Sequence, residues 1–146
     1  MTAAEDATAR LEQSIPIAHR MGVRVIDVGS GHATAEVPLE GNTNHVGTMY
    51  AGVLFTVAEL LGGLLAVATF DTSQYFPIVK DVRIHFLRPA TSTIRATASL
   101  DAPTIAAATS AADADGKADY ALRAELTDES GAVVATTEGT YQIRRR

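Results

Sequence analysis

The amino-acid sequence predicts an α+β domain in which a strongly curved antiparallel sheet wraps one long apolar helix. Three observations lead there. Six segments have strand character, most with a period of two; one segment, Tyr50 to Phe70, is almost uninterruptedly apolar; and the order is two strands, the long helix, then four strands.

Each element follows in turn. Residues 1–20 form a lead-in: Met1 to Leu11 are acidic and alanine-rich, lack a signal pattern, and read as a frayed or helical start. Two weaker strands, Val23 to Val28 and Ala33 to Val37, are joined by Gly29-Ser30-Gly31. The helix runs from about Ala51 to Phe70. It is close to the ~20 residues a bilayer needs, but Glu59 sits near its middle and no basic anchors flank it. A lone carboxylate at a bilayer centre costs roughly 2.5–3.5 kcal/mol on insertion scales. A helix buried in protein is therefore expected, not a membrane span.

Four further strands have one dry and one wet face. Val82, Ile84 and Phe86 alternate with Asp81, Arg83 and His85; Ile94, Ala96, Ala98 and Leu100 alternate with Thr93, Arg95, Thr97 and Ser99. Ala118, Tyr120, Leu122, Ala124 and Leu126 oppose Asp119, Arg123, Glu125 and Thr127. The last strand sets Val133, Ala135, Thr137, Tyr141 and Ile143 against Thr136, Glu138 and Thr140. Arg88-Pro89-Ala90 stops one strand, Asp128-Glu129-Ser130-Gly131 reads as a hairpin loop, and the alanine-rich stretch from Pro103 to Gly116 reads as a short helix with Thr104 as candidate cap. A sheet with one wet face needs a single covering layer, while a helix apolar nearly all round is not buried by one flat contact. A curled sheet around the helix meets both demands: the hotdog layout.

Composition bounds the function. The 146 residues form one domain, 1–146, with 47% hydrophobic and 20% charged residues, as in an ordinary globular protein. A net charge of −5 argues against a nucleic-acid partner. The basic run Arg144-Arg145-Arg146 reads as a solvated tail, with a small anionic group such as a coenzyme phosphate as the alternative use. There are no cysteines, which removes thiolate catalysis and disulfides and fits a cytoplasmic setting. The histidines His19, His32, His45 and His85 lack metal-ligand spacing, so no metal is expected.

Helical spacing puts Gly52, Phe55, Thr56, Glu59, Gly62, Gly63 and Ala66 on one face, small and polar, opposite Leu54, Val57, Leu61, Leu64, Leu65 and Ala68. Each interior glycine costs about 0.5–1 kcal/mol relative to alanine, so Gly62-Gly63 suggest a close approach by a partner helix or ligand. A desolvated Glu59 has a raised pKa and is a better base near neutrality; the alternative is a solvated carboxylate, or one paired with Arg83 or Arg95. Upstream, Asn42 to Gly52 is a loop rich in glycine and asparagine that runs into the helix start, where free N–H groups at Ala51, Gly52 and Val53 are able to hold an oxyanion. A simple loop-to-helix turn is the plainer alternative.

The run from Asn44 to Glu59, together with Phe86-Leu87-Arg88-Pro89-Ala90, resembles hotdog-fold thioesterases of the phenylacetate-pathway type and their thioesterase-like relatives. Their pattern is an asparagine, a glycine three residues on, a histidine-glycine-glycine at the helix start, and an acidic residue nine after the histidine. Asn44, Gly47, Gly52 and Glu59 match; Tyr50 stands where the histidine would be and Ala51 replaces the first glycine. The resemblance implies that the Gly52 amide polarises a thioester carbonyl, that Glu59 activates water or attacks directly, and that Asn44 helps place the water or carboxylate. Gly47, Tyr50, Ala51 and Phe55 are expected substrate contacts, as are His45, alternatively a plain loop histidine, and Arg88, a partner for a coenzyme A phosphate or alternatively a surface arginine. Phe55, Leu60, Phe76 and Phe86 are candidate pocket liners, each also explicable as core.

The expected substrate is an acyl group on coenzyme A or acyl carrier protein; coenzyme A is then part of the substrate and no cofactor is expected. The resemblance also implies that Glu59 of one protomer serves the Gly52 of another, in a homodimer or homotetramer. Tyr50 and Ala51 motivate a rival reading, a non-catalytic acyl-CoA binding or sensing module. Hydratase chemistry fits less well, because Tyr50 supplies no histidine.

Overall fold

Small side chains set how tightly the sheet curls. The computed structural model describes residues 1–146, with α1 Ala3–Ser14, α2 Pro16–Arg20, β1 Arg24–Gly29, β2 His32–Val37, α3 Ala51–Thr69, β3 Tyr75–Phe86, β4 Ile94–Ser99, α4 Ala102–Asp115, β5 Lys117–Thr127 and β6 Val133–Arg145. The six strands form one antiparallel sheet in the order β1-β2-β4-β5-β6-β3. Between β2 and β4 the inward pairs are Ala33 with Ala98, Ala35 with Ala96, and Val37 with Ile94, all buried. With so many methyl groups on that face, α3 lies close to the sheet and touches all six strands. This is the hotdog arrangement that the element order predicts.

Helix α3 is the rod of the core. Its length and composition would suffice to cross a membrane; here Val57, Leu61 and Leu65 are fully enclosed by the sheet, each contributing ~1.5–3 kcal/mol by transfer from water. The alternations on β4, β5 and β6 fall as predicted, with Ile94, Ala96, Ala98, Tyr120, Leu122, Ala124, Leu126, Ala135, Thr137, Tyr141 and Ile143 buried.

Several expectations need correction, while the lead-in takes the helical of its two expected forms: Thr2 and Glu5 form a reciprocal capping box at the start of α1. Leu11 and Ala18 enter the core, and the Thr8 hydroxyl accepts from the Val25 N–H at 2.9 Å, so α1 covers the outer edge of β1. The cap of α4 is Asp101, not Thr104: its carboxylate accepts from the Thr104 N–H at 2.9 Å. Pro103 is tolerated inside the first turn, where its missing N–H costs nothing.

Strand β3 begins at Tyr75, well before Val82, and Phe86 at its end is half-exposed rather than core. Pro77 is tolerated because β3 is an edge strand. Lastly, the close approach at Gly62 comes from Tyr141 of the same chain, not from a partner helix or ligand. A Cβ on Gly62 would stand 2.2 Å from Tyr141 Cε1.

Candidate functional site

The loop before α3 is built by two asparagines. Asn42 is buried and donates from Nδ2 to the carbonyls of Met21 and Pro38, both at 2.8 Å, while its own carbonyl accepts from the Tyr50 N–H at 2.9 Å. Asn44 organises the next turn. Its Oδ1 accepts from the N–H groups of Val46 and Thr48, at 3.0 and 3.1 Å, and its Nδ2 donates to Thr48 Oγ1 at 2.9 Å. Gly47 closes that turn with φ of +86°, a left-handed conformation that suits glycine. The Met49 N–H donates to the Ala90 carbonyl at 2.9 Å, tying the segment that carries Arg88 to the helix start.

Tyr50 is the residue before the first turn of α3, and no side chain caps it. Its carbonyl accepts from the N–H groups of Val53 and Leu54, at 3.0 and 3.2 Å. The N–H groups of Ala51 and Gly52 have no acceptor in the chain, at the positive end of the helix dipole. Gly52 makes room for the Tyr50 ring: a Cβ there would lie 2.6 Å from Tyr50 Cε2.

Glu59 lies two turns further on the same face, half-buried. No ion pair or hydrogen bond reaches its carboxylate; Arg95 is engaged with Glu36, and Arg83 does not bond Glu59. Burial raises its pKa above the ordinary 4.5. The carboxyl therefore holds its proton more tightly than a surface glutamate and, once ionised, is a stronger base. The Tyr141 hydroxyl donates to the Glu59 carbonyl oxygen at 3.1 Å, and the Tyr120 hydroxyl to that of Gly62 at 3.4 Å. Burial raises the pKa of both phenols, and the charge of Glu59 adds to the effect on Tyr141.

Glu59 opens onto a cavity of about 610 Å³ between α3, α1 and the first half of β3. The volume is within the range for whole small-molecule ligands. The walls are mostly apolar, with the Tyr120 and Tyr141 rings in the lining, and Asp6, Arg10, Ser14 and Glu59 supply charged and polar groups.

Of the nine residues singled out from sequence, Glu59 alone lines this cavity. Gly52, Ala51, Tyr50 and Phe55 lie at the helix start or along the exposed face of α3; Phe55 is 37% and Tyr50 58% exposed. His45 and Gly47 sit in the exposed turn. Arg88 is exposed on the segment after β3, close enough to Asp128 to help lower its pKa. Asn44 makes no hydrogen bond to Glu59 of its own chain: its carboxamide is engaged within its own turn. Leu60 is the one suggested liner that faces the cavity. Sequence reasoning missed Tyr141, Asn42 and the α1 wall; for α1, the Thr2-x-x-Glu5 capping signature was the available signal. No cluster of His, Cys, Asp or Glu suits a metal ion.

A helix wrapped by six strands, with open amides at its start and an unpaired acid two turns on, defines a hotdog-fold protein of the thioesterase-like class. The chain belongs to the family described as "Domain of unknown function (DUF4442)", which matches residues 6–143. It is similar to protein PA5026 of Pseudomonas aeruginosa, described as a protein of unknown function and probable thioesterase. Identity there is 41% and the TM-score 0.90, with 100% of this chain and 99% of that chain covered. Thioesterase PA1618 of Pseudomonas aeruginosa shares the fold at 20% identity and a TM-score of 0.80, covering 100% of this chain and 96% of the other. Thioesterase HI1161 of Haemophilus influenzae does so at 15% identity and 0.78, covering 99% and 92%. Comparison with curated proteins gives no match.

Proposed function

We propose that the protein hydrolyses an acyl thioester carried by coenzyme A or acyl carrier protein. The observation that carries this reading is Glu59: a carboxyl with no partner, its pKa raised by burial, at the wall of a mostly apolar cavity and on the same helix face as two free amides. The N–H of Gly52, beside that of Ala51, receives the thioester oxygen as it gains charge, and Glu59 takes a proton from water or attacks the carbonyl carbon itself. Coenzyme A enters only as part of the substrate.

Seven residues of α-helix separate Gly52 from Glu59, a rise of roughly 10 Å. One thioester carbonyl does not span that gap within hydrogen-bonding reach of both. The reaction therefore uses Glu59 of one protomer and Gly52 of a neighbour in a homo-oligomer. The unpaired outer edge of β3 and the exposed Tyr50, Phe55, Val79, Phe86 and Leu87 support such an assembly.

A specific observation favours the rival reading, a non-catalytic acyl-CoA binding module: the Tyr50 ring rests on Gly52, next to the amides that would have to receive substrate. An acyl-CoA hydrolysis panel run with Glu59→Ala and Glu59→Gln separates the two. Hydrolysis that collapses in both variants supports the enzyme. Saturable binding without turnover supports the module, and turnover that survives both substitutions refutes the role of Glu59.

A further inference from the structure

Two adjacent glycines in α3 have different reasons to be glycine. For Gly62 the reason is internal, because the Tyr141 ring fills the place of a side chain. Gly63 has no such reason. A Cβ there meets nothing within 4 Å, and its backbone is ordinary helix without a positive φ. Glycine in a helix interior is weaker than alanine, so nothing in the chain explains its presence. Gly63 lines the cavity beside Glu59.

We infer that Gly63 sets the acyl-length specificity of the site, its missing side chain leaving a channel for an unbranched acyl chain of about ten carbons. This inference rests on the thioester reading above. The α3 residues along the cavity run from Glu59 to Ala68, nine residues or roughly 13 Å of helix. A staggered chain with bonds of ~1.5 Å and angles of ~111° advances about 1.25 Å per carbon, so that length takes about ten.

Both walls suit such a chain. Leu64 and Val67 of α3 and Ala7 and Leu11 of α1 line the cavity, and Ile78 of β3 contributes from the edge strand. The polar side chains of α1 in the lining are all engaged within the helix: Asp6 and Arg10 pair at 2.9 Å, and the Ser14 hydroxyl donates to the Arg10 carbonyl at 2.8 Å. A charged or strongly polar group midway along the acyl chain would lose its hydration without gaining a partner there. Gly63 lies one turn beyond Glu59, roughly 6 Å along the axis. That is the level of about the fifth carbon. A branched side chain at Gly63 therefore blocks longer chains and leaves room for short ones.

The test compares wild type, Gly63→Ala and Gly63→Leu on acyl-CoAs from acetyl to palmitoyl, with sedimentation of each variant alongside. The expected result is a wild-type optimum near decanoyl-CoA and, in Gly63→Leu, at least a tenfold fall in the kcat/KM ratio of decanoyl- over butyryl-CoA, with Gly63→Ala between them and the assembly unchanged. A uniform loss over all lengths, an unchanged ratio, or a changed assembly in Gly63→Leu overturns the inference. If wild type hydrolyses none of these esters, the thioester reading fails first. Binding of decanoyl-CoA and butyryl-CoA to Glu59→Gln, with and without Gly63→Leu, then reads the channel independently of turnover. Loss of decanoyl-CoA preference supports it, and equal affinities in both proteins overturn it.

Discussion

The Tyr141 ring rests against the α-carbon of Gly62 while its hydroxyl donates to the Glu59 carbonyl at 3.1 Å. One aromatic side chain from the last strand thereby fixes the helix turn that carries the proposed base. Gly62→Ala should destabilise the fold by ~1–3 kcal/mol through overpacking. Gly63→Ala, one position on, should stabilise it by about 0.5–1 kcal/mol, because its Cβ meets open space. Urea unfolding of the two variants checks the opposite signs; equal effects would mean that Tyr141 moves aside freely.

Glu59 gives a pH signature. Burial raises its folded pKa above 4.5, so the native state holds this proton more tightly than the unfolded chain does. The stabilisation from the neutral acid is complete below the ordinary value and is lost as pH rises through the raised one. Glu59→Gln removes that titration. Relative to wild type, the variant should gain stability between pH 4 and pH 7 in urea melts, and its turnover should fall by roughly 10²–10⁴-fold. In wild type the acid limb of kcat/KM should lie above the ordinary glutamate range. A wild-type-to-variant stability difference that is flat across this pH span would show that Glu59 is solvated.

Residue pattern alone made α3 and β4 to β6 legible, because a wrapped helix is apolar all round and a one-sided sheet alternates. The first half of β3 was not, since Phe76-Pro77-Ile78-Val79 has no alternation and proline argues against a central strand. Helical spacing gave the small, polar face of α3 that carries Glu59, and the upstream loop with the family pattern singled that residue out. The cavity did not emerge this way, because its walls come from α1, α3, β3 and Tyr141, and Tyr141 lies 82 residues from Glu59. No local periodicity encodes a space between such distant segments.

The two sheet edges differ. Thr8 and α1 cover β1, while the outer edge of β3 is left open, with Val79, Phe86 and Leu87 exposed beside it. Sedimentation at micromolar concentration should therefore show a dimer or larger species. Phe86→Lys, which places a charge at that edge, should shift the population toward monomer and lower turnover in proportion, because the proposed site needs two protomers. A monomeric variant with full turnover would refute the shared site.

The asparagine loop makes the last prediction. Asn42→Ala leaves the Met21 and Pro38 carbonyls without their donor and should cost ~1–3 kcal/mol of stability. Asn44 acts differently. Its bonds stay within the turn that leads to the open amides, so it is a positioning residue for the helix start. Asn44→Ala should lower kcat/KM by roughly tenfold, about 1.4 kcal/mol of transition-state stabilisation. Asn44→Asp retains an oxygen to accept from Val46 and Thr48, and its second oxygen replaces the Nδ2 donor with an acceptor for the Thr48 hydroxyl. It should therefore recover most of that loss. If aspartate proves as damaging as alanine, the carboxamide nitrogen acts on substrate or water directly, and the turn-building role assigned to Asn44 is wrong.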